Sequence, residues 1–236
     1  MPTIRDRQTA WSILTSAADD ATAARTKTDQ QIEKISTSDM YAPDYKTKMI
    51  KQQRDGLEQA TKALLDQAAN ARDTLLEAAR ELDAPAGDAT AQLLAETRAQ
   101  RAWSRIKPQL DAGTHWSTLL DQAVAARDGG TLAAMRDELA AYLQASGGAD
   151  ASVDREQLRR ALDVATFKAL GDDNGPGTAA RLRLHVDARY PLAETTISQA
   201  SGGRNLNGAV AVAYARQEAE AIEAQLGGQA AGSDAD

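Results

Sequence analysis

A chain of 236 residues with 34 acidic against 27 basic side chains carries a formal charge of −7, the wrong sign for a protein that grips duplex DNA through lysine and arginine on phosphates. It has no cysteine, which excludes disulfides, thiolate catalysis and cysteine-ligated zinc and suits a reducing compartment. With a single phenylalanine, alanine is left to fill much of the interior, so the cores should be thin and the helices closely packed.

The first residues, Met1 to Arg7, are charged and lead into an amphipathic pattern with no apolar signal core. A helix is expected from Ile4 to Ser36. Its heptad frame is Ile4, Arg7, Trp11, Leu14, Ala18, Ala21, Arg25, Thr28, Ile32 and Ile35, apolar at seven of the ten positions. Thr37-Ser38-Asp39 breaks the pattern. Pro43 then suits the first turn of a second helix, with Asp44 favourable near its positive end.

That second helix, Pro43 to Leu82, is the chain's organising stretch. Apolar residues recur at Ile50, Leu57, Ala60, Leu64, Ala68, Ala71, Leu75, Ala78 and Leu82. At 1.5 Å per residue it runs for about 60 Å, and so narrow an apolar stripe requires a partner helix. The two seams fit an antiparallel, coiled-coil-like hairpin over 1–84. A parallel pairing between subunits would use the same residues. Self-association is therefore expected through Trp11, Leu14, Leu57, Leu64 and Leu75.

Asp83 to Gly87 collects proline, glycine and small residues and marks a boundary. Shorter helices are expected over 85–170, as a small bundle. The first is capped by Asp88, carries Leu93, Leu94, Trp103 and Ile106, and is interrupted at Pro108. The next is capped by Thr114, with Trp116, Leu119, Leu120 and Val124 on one face. Asp128-Gly129-Gly130 links to a third bearing Leu132, Met135, Leu139, Tyr142 and Leu143. Gly147-Gly148 and Ser152 lead into Val153 to Leu170, with Leu158, Leu162, Ala165 and Phe167 inward.

Over 171–226 the signals mix. Gly171 to Gly177 reads as a flexible, turn-rich linker. Arg181 to Tyr190 alternates polar and apolar, as a short strand does, yet also lays Leu182, Val186 and Arg189 along a helix face; helix is favoured because its neighbours are helical. Pro191 should end it. Leu206 to Leu226 should form a last helix, apolar at Val210, Tyr214, Ile222 and Leu226, and 227–236 should be a disordered tail. The fold class is all-α. The longest small-apolar run, 209–215, falls far short of the roughly twenty residues a membrane span needs. A soluble chain with no membrane association and no signal-peptide secretion is expected.

Residues that could carry chemistry have plainer readings. His115 and His185 are about seventy residues apart, neither with a carboxylate or second histidine at ligand spacing, and read as surface or packing histidines. Adjacent helical residues point about 100° apart, so Asp19-Asp20 is a solvated face, not an acid–base couple. Gly171-Asp172-Asp173-Asn174-Gly175-Pro176-Gly177 has neither calcium-loop spacing nor a following lysine with serine or threonine. Trp11, Trp103 and Trp116 fall on apolar helix faces, where core is favoured over a base-stacking platform. No catalytic residue, metal ligand or cofactor is expected. The one local excess of positive charge is Arg181, Arg183 and Arg189, which read either as a docking surface or as side chains whose stems lie over the core.

The long charged hairpin with its Tyr41-Ala42-Pro43-Asp44-Tyr45-Lys46 link resembles alanine-rich helical proteins encoded with the head genes of tailed phages of actinobacterial hosts. So does the stretch from Trp103 through Leu143, where Asp111-Ala112-Gly113 and Arg127-Asp128-Gly129-Gly130-Thr131-Leu132 join short helices. The resemblance implies a structural or head-assembly component, either a scaffold, a minor capsid or an accessory virion protein. Such a protein would be present in the host cytoplasm during assembly and contact capsid or other virion proteins and copies of itself. Phage scaffolds often dock through a basic C-terminal helix. The final helix here is acidic, so Arg181 to Arg189 would take that part. The alternative is a bacterial cytoplasmic adaptor whose hairpin grips one partner protein.

Overall fold

The computed structural model describes residues 2–84, 87, 89–146, 154–172, 174–202 and 206–227. The expected cap Asp88, the link 147–153 and the tail from 228 lie outside them. Among the described residues the chain is all-α, with eight helices and no strand. They are α1 (Ile4–Thr37), α2 (Pro43–Asp83), α3 (Ala89–Asp111), α4 (Trp116–Ala125), α5 (Gly129–Ser146), α6 (Arg155–Leu170), α7 (Gly175–Gly202) and α8 (Leu206–Gly227).

Local chemistry sets most of the helix starts. Thr3 caps α1 in a reciprocal capping box, its hydroxyl accepting from the Asp6 N–H while the Asp6 carboxylate accepts from the Thr3 N–H at 2.8 Å. Asp154 caps α6 by accepting from the Glu156 N–H. His115, not Thr114, caps α4; its Nδ1 accepts from the Ser117 N–H at 3.2 Å. Asp128 caps α5, accepting from both the N–H and the hydroxyl of Thr131. The backbone reverses just before it at Arg127, whose φ of 50° is left-handed although the glycines begin two residues further on.

Two prolines expected to end helices do not. Pro108 lies inside α3, near its end, where the freed Ser104 carbonyl is on the exposed side and can meet water. The last turn beyond it is held by Lys107 Nζ donating to Asp111 at 2.8 Å and by the Tyr142 hydroxyl donating to the same carboxylate. Pro191 lies inside α7, with Val186 and Ala188 buried before it and Leu192, Ala193 and Ile197 after it; packing on both sides outweighs one lost helical bond. The stretch 181–190 is accordingly helix, not strand.

Gly175 to Gly177 is the first turn of α7, not a flexible linker. The Asn174 side chain accepts from the Gly177 N–H at 2.8 Å and donates to the Leu170 carbonyl. A Cβ on Gly175 would meet the Leu82 carbonyl oxygen at 2.5 Å, and one on Gly177 would fall 1.8 Å from that of Gly171. These glycines are there for close backbone approach.

The chain divides into two compact units, each drawn from separated stretches. The first comprises 1–77 and 185–223, the second 78–184 and 224–236. In the first, α1 and α2 run antiparallel. Pro2, Asp6, Ala10 and Ile13 line one cleft with Gln67, Ala71, Thr74 and Glu77, while Lys46 donates to the Ser36 carbonyl at the other end. The seam passes through buried Leu14, Ala21, Leu57, Thr61, Ala68, Ala71 and Leu75, with Ala60 exposed where a seam position was expected. The buried Thr61 hydroxyl is satisfied by the Leu57 carbonyl. The later part of α7 covers the hairpin. His185 stacks on Trp11 with ring centroids 3.4 Å apart, Arg72 lies over the Tyr190 ring, and Arg25 donates to the Ala200 carbonyl.

In the second unit, α3 to α6 enclose a core of Ile106, Leu119, Leu132, Met135, Leu139, Leu158 and Leu162, with Trp103 and Trp116 packed against it. Leu93 and Leu94 of α3 are exposed, whereas Ile106 is buried. Phe167 is buried as expected.

Candidate partner-binding surfaces

The end of the hairpin is built by five residues, 38–42, between α1 and α2. Ser38 takes an extended conformation at φ −70° and ψ 128°, ending α1, and its hydroxyl accepts from the Met40 N–H. The Ala42 carbonyl accepts from the Lys46 N–H at 3.0 Å, starting α2. Lys46 reaches back to Ser36 with its ammonium among the last carbonyls of α1, where positive charge is favoured. This fixed turn leaves Met40 90 % exposed, Tyr45 52 % and Tyr41 40 %. The two tyrosine rings are paired, centroids 5.5 Å apart. Met40 and the paired Tyr41 and Tyr45 thus place three large side chains in water at this end of the hairpin.

The residues expected to mediate self-association sit mostly inside the first unit. Leu14, Leu57 and Leu75 are buried, Leu64 is half-buried, and half-buried Trp11 lies against His185. The three arginines expected to dock a partner each face a carboxylate of their own chain. Arg181 pairs with Asp172, and Arg189 meets Glu223 at 2.5 Å.

Arg183 enters a chain of alternating charges that sequence spacing does not reveal. Its Nη1 donates to Asp83 at 2.6 Å and its Nε to Asp163 at 2.9 Å. Asp163 is fully buried and also accepts from Arg159, while Asp83 accepts from Arg136 at 2.8 Å. Burial opposes the Arg183 charge, but the two carboxylates outweigh it and hold its pKa above the ordinary arginine value. Both oxygens of Asp163 are held by guanidinium groups, so this cluster ties helices together and aims no oxygen at a substrate. Its partners are 20 and 100 residues from Arg183. Only the aspartates' positions beside apolar helix faces could have hinted at it.

Among the described residues no group of three or more histidine and acidic side chains is placed to hold a metal ion. His115 is a helix cap and His185 a stacking partner. Asp19 and Asp20 are exposed, and Asp173 lies outside the described residues. No helix of the described residues is long and apolar enough to cross a membrane. The chain matches no protein-family model, no curated protein and no solved structure.

Proposed function

We propose that this chain is a non-enzymatic assembly protein that works through helix-borne protein contacts, as a head or virion component of a tailed phage. The observation that carries the contact reading is the hairpin end. A fixed turn holds Met40, Tyr41 and Tyr45 in solvent, although a chain with so few aromatics has every reason to bury them. Aromatic and methionine side chains are enriched where proteins meet, because they supply large contact area. The particle assignment rests on the resemblance of the hairpin and its link to head-gene proteins.

The test is the triple substitution Met40→Ser, Tyr41→Ser and Tyr45→Ser in the encoding genome, with quantitative mass spectrometry of purified particles and assembly intermediates. The reading predicts the wild-type chain in particles or intermediates and loss of the variant from them, with unchanged helicity of the purified protein. A wild-type chain absent from both contradicts the particle assignment, and normal incorporation of the variant contradicts the role of the tip.

A further inference from the structure

Several helical cations find a carboxylate three or four residues away, as Arg25 finds Asp29, Lys107 finds Asp111 and Arg159 finds Glu156. α3 departs from that habit. Arg98, Arg101 and Arg105 are exposed, and no acidic residue stands three or four positions from any of them. They are dispersed along the chain and gather only when wound into a helix. At 100° per residue the three lie within about 60° of one another, and Leu94, 50 % exposed, extends the same line. Among the described residues none of the three makes an ion pair or a hydrogen bond. Arg105 lies near enough to Asp128 to help lower its pKa.

The other side of α3 is built with the opposite sign. A groove of about 890 Å³ runs there between α3 and α5, lined in part by Glu96, Ala99, Trp103, Ala133, Asp137 and Glu138. Arg136, also on its wall, is already held by Asp83. Among the described residues the carboxylates of Glu96, Asp137 and Glu138 have no cation. Glu96 and Trp103 lie about 180° round the helix from the arginines. They are also seven residues apart, as Arg98 and Arg105 are, so both faces span about 10 Å.

We infer that the arginine face of one copy binds in the α3–α5 groove of a second copy, joining chains head to tail. The charges select the occupant. An unpaired arginine face calls for carboxylates, and this chain carries an unpaired set at matching spacing. Lying on the far side of the same helix, that set cannot serve its own arginines. Guanidinium groups pair with carboxylates and stack on aromatic rings, and the groove offers both, three acids with the Trp103 indole. Ala99 and Ala133 are small enough to let another helix come close. Because the two faces differ, each pairing leaves one of each free, so the contact is heterologous and repeats into a ring or a chain. The inference rests on the reading of a chain that works through helix-borne contacts, and gives α3 a partner.

The test is sedimentation velocity of the purified full-length protein. The wild type should associate as its concentration rises and return toward monomer in high salt, which screens exposed charges. Arg98→Glu with Arg101→Glu, which leaves Arg105 beside the Asp128 cap untouched, should weaken association at least about tenfold at unchanged helicity. Glu96→Lys with Glu138→Lys should do the same. A chain carrying all four substitutions exchanges the signs of the two faces and should associate again, as should an equal mixture of the two double variants. A wild type that stays monomeric at low salt and high concentration overturns the proposal, and binding of single-stranded DNA by that monomer would give the arginines to a nucleic acid instead. Association that survives either double variant, or that neither the four-fold variant nor the mixture restores, also overturns it. These outcomes are read without particles and stay separate from the test of the hairpin tip.

Discussion

Arg183 shows how a single side chain can mislead a sequence reader and still be explained by physics. Alternation with Leu182 and Leu184 suits either an exposed docking face or a stem laid over the core; in the fold it lies between Asp83 and Asp163. Removing one member of a buried charge cluster leaves its partners desolvated and unpaired. Arg183→Met should therefore cost about 3–5 kcal/mol of stability in urea unfolding. Arg181→Ala breaks an exposed pair with Asp172, and should cost no more than about 1 kcal/mol. At Gly177 a methyl group would run into the Gly171 carbonyl, so Gly177→Ala should destabilise by about 1–3 kcal/mol, where an ordinary linker glycine would tolerate it. The glycine cluster was visible in the sequence. Its meaning was not, since flexibility and close approach call for the same residue.

At the scale of the element, helices were legible where apolar periodicity was long, and their ends where a cap was local. α1 and α2 match their expected bounds within a residue. The errors came where tertiary packing overrode a local rule, as at Pro108 and Pro191, or where periodicity gave a seam wider than the one that is covered, as at Ala60. The Asp128 cap makes a pH-dependent prediction. Hydrogen bonds from Thr131, the backbone N–H first, lower its pKa below the ordinary aspartate value. A folded pKa below the unfolded one adds stability that is present above the unfolded value and lost as pH falls through the folded one. Asp128→Ala should thus cost about 1 kcal/mol at neutral pH, and the two proteins' unfolding free energies should converge in acid below pH ~4. Core and surface seam positions should also separate. Leu75→Ala should cost about 2–5 kcal/mol, whereas Tyr214→Ser, at an exposed position, should change unfolding by about 0.5 kcal/mol or less.

The whole chain is less sequential than its punctuation suggests. Proline and glycine mark where a helix stops, but not which helix it packs on, so the Pro85 and Gly87 signals in the sequence say nothing of the pairing of 1–77 with 185–223. Fragment 1–84 loses His185 from Trp11, Tyr190 from Arg72 and the Ala200 carbonyl from Arg25. By circular dichroism it should have lower helicity per residue than the intact protein and melt over a broader range, since a thin two-helix seam lacks its cover. The central claim, that the chain acts by presenting apolar side chains to other proteins, is tested most directly by photo-cross-linking in the producing cells. A benzophenone amino acid replaces Tyr41 in one strain and Lys62, an exposed polar position on α2, in another. The account predicts a discrete protein adduct from position 41 that is absent from position 62. No adduct from position 41, or the same adducts from both, would contradict it.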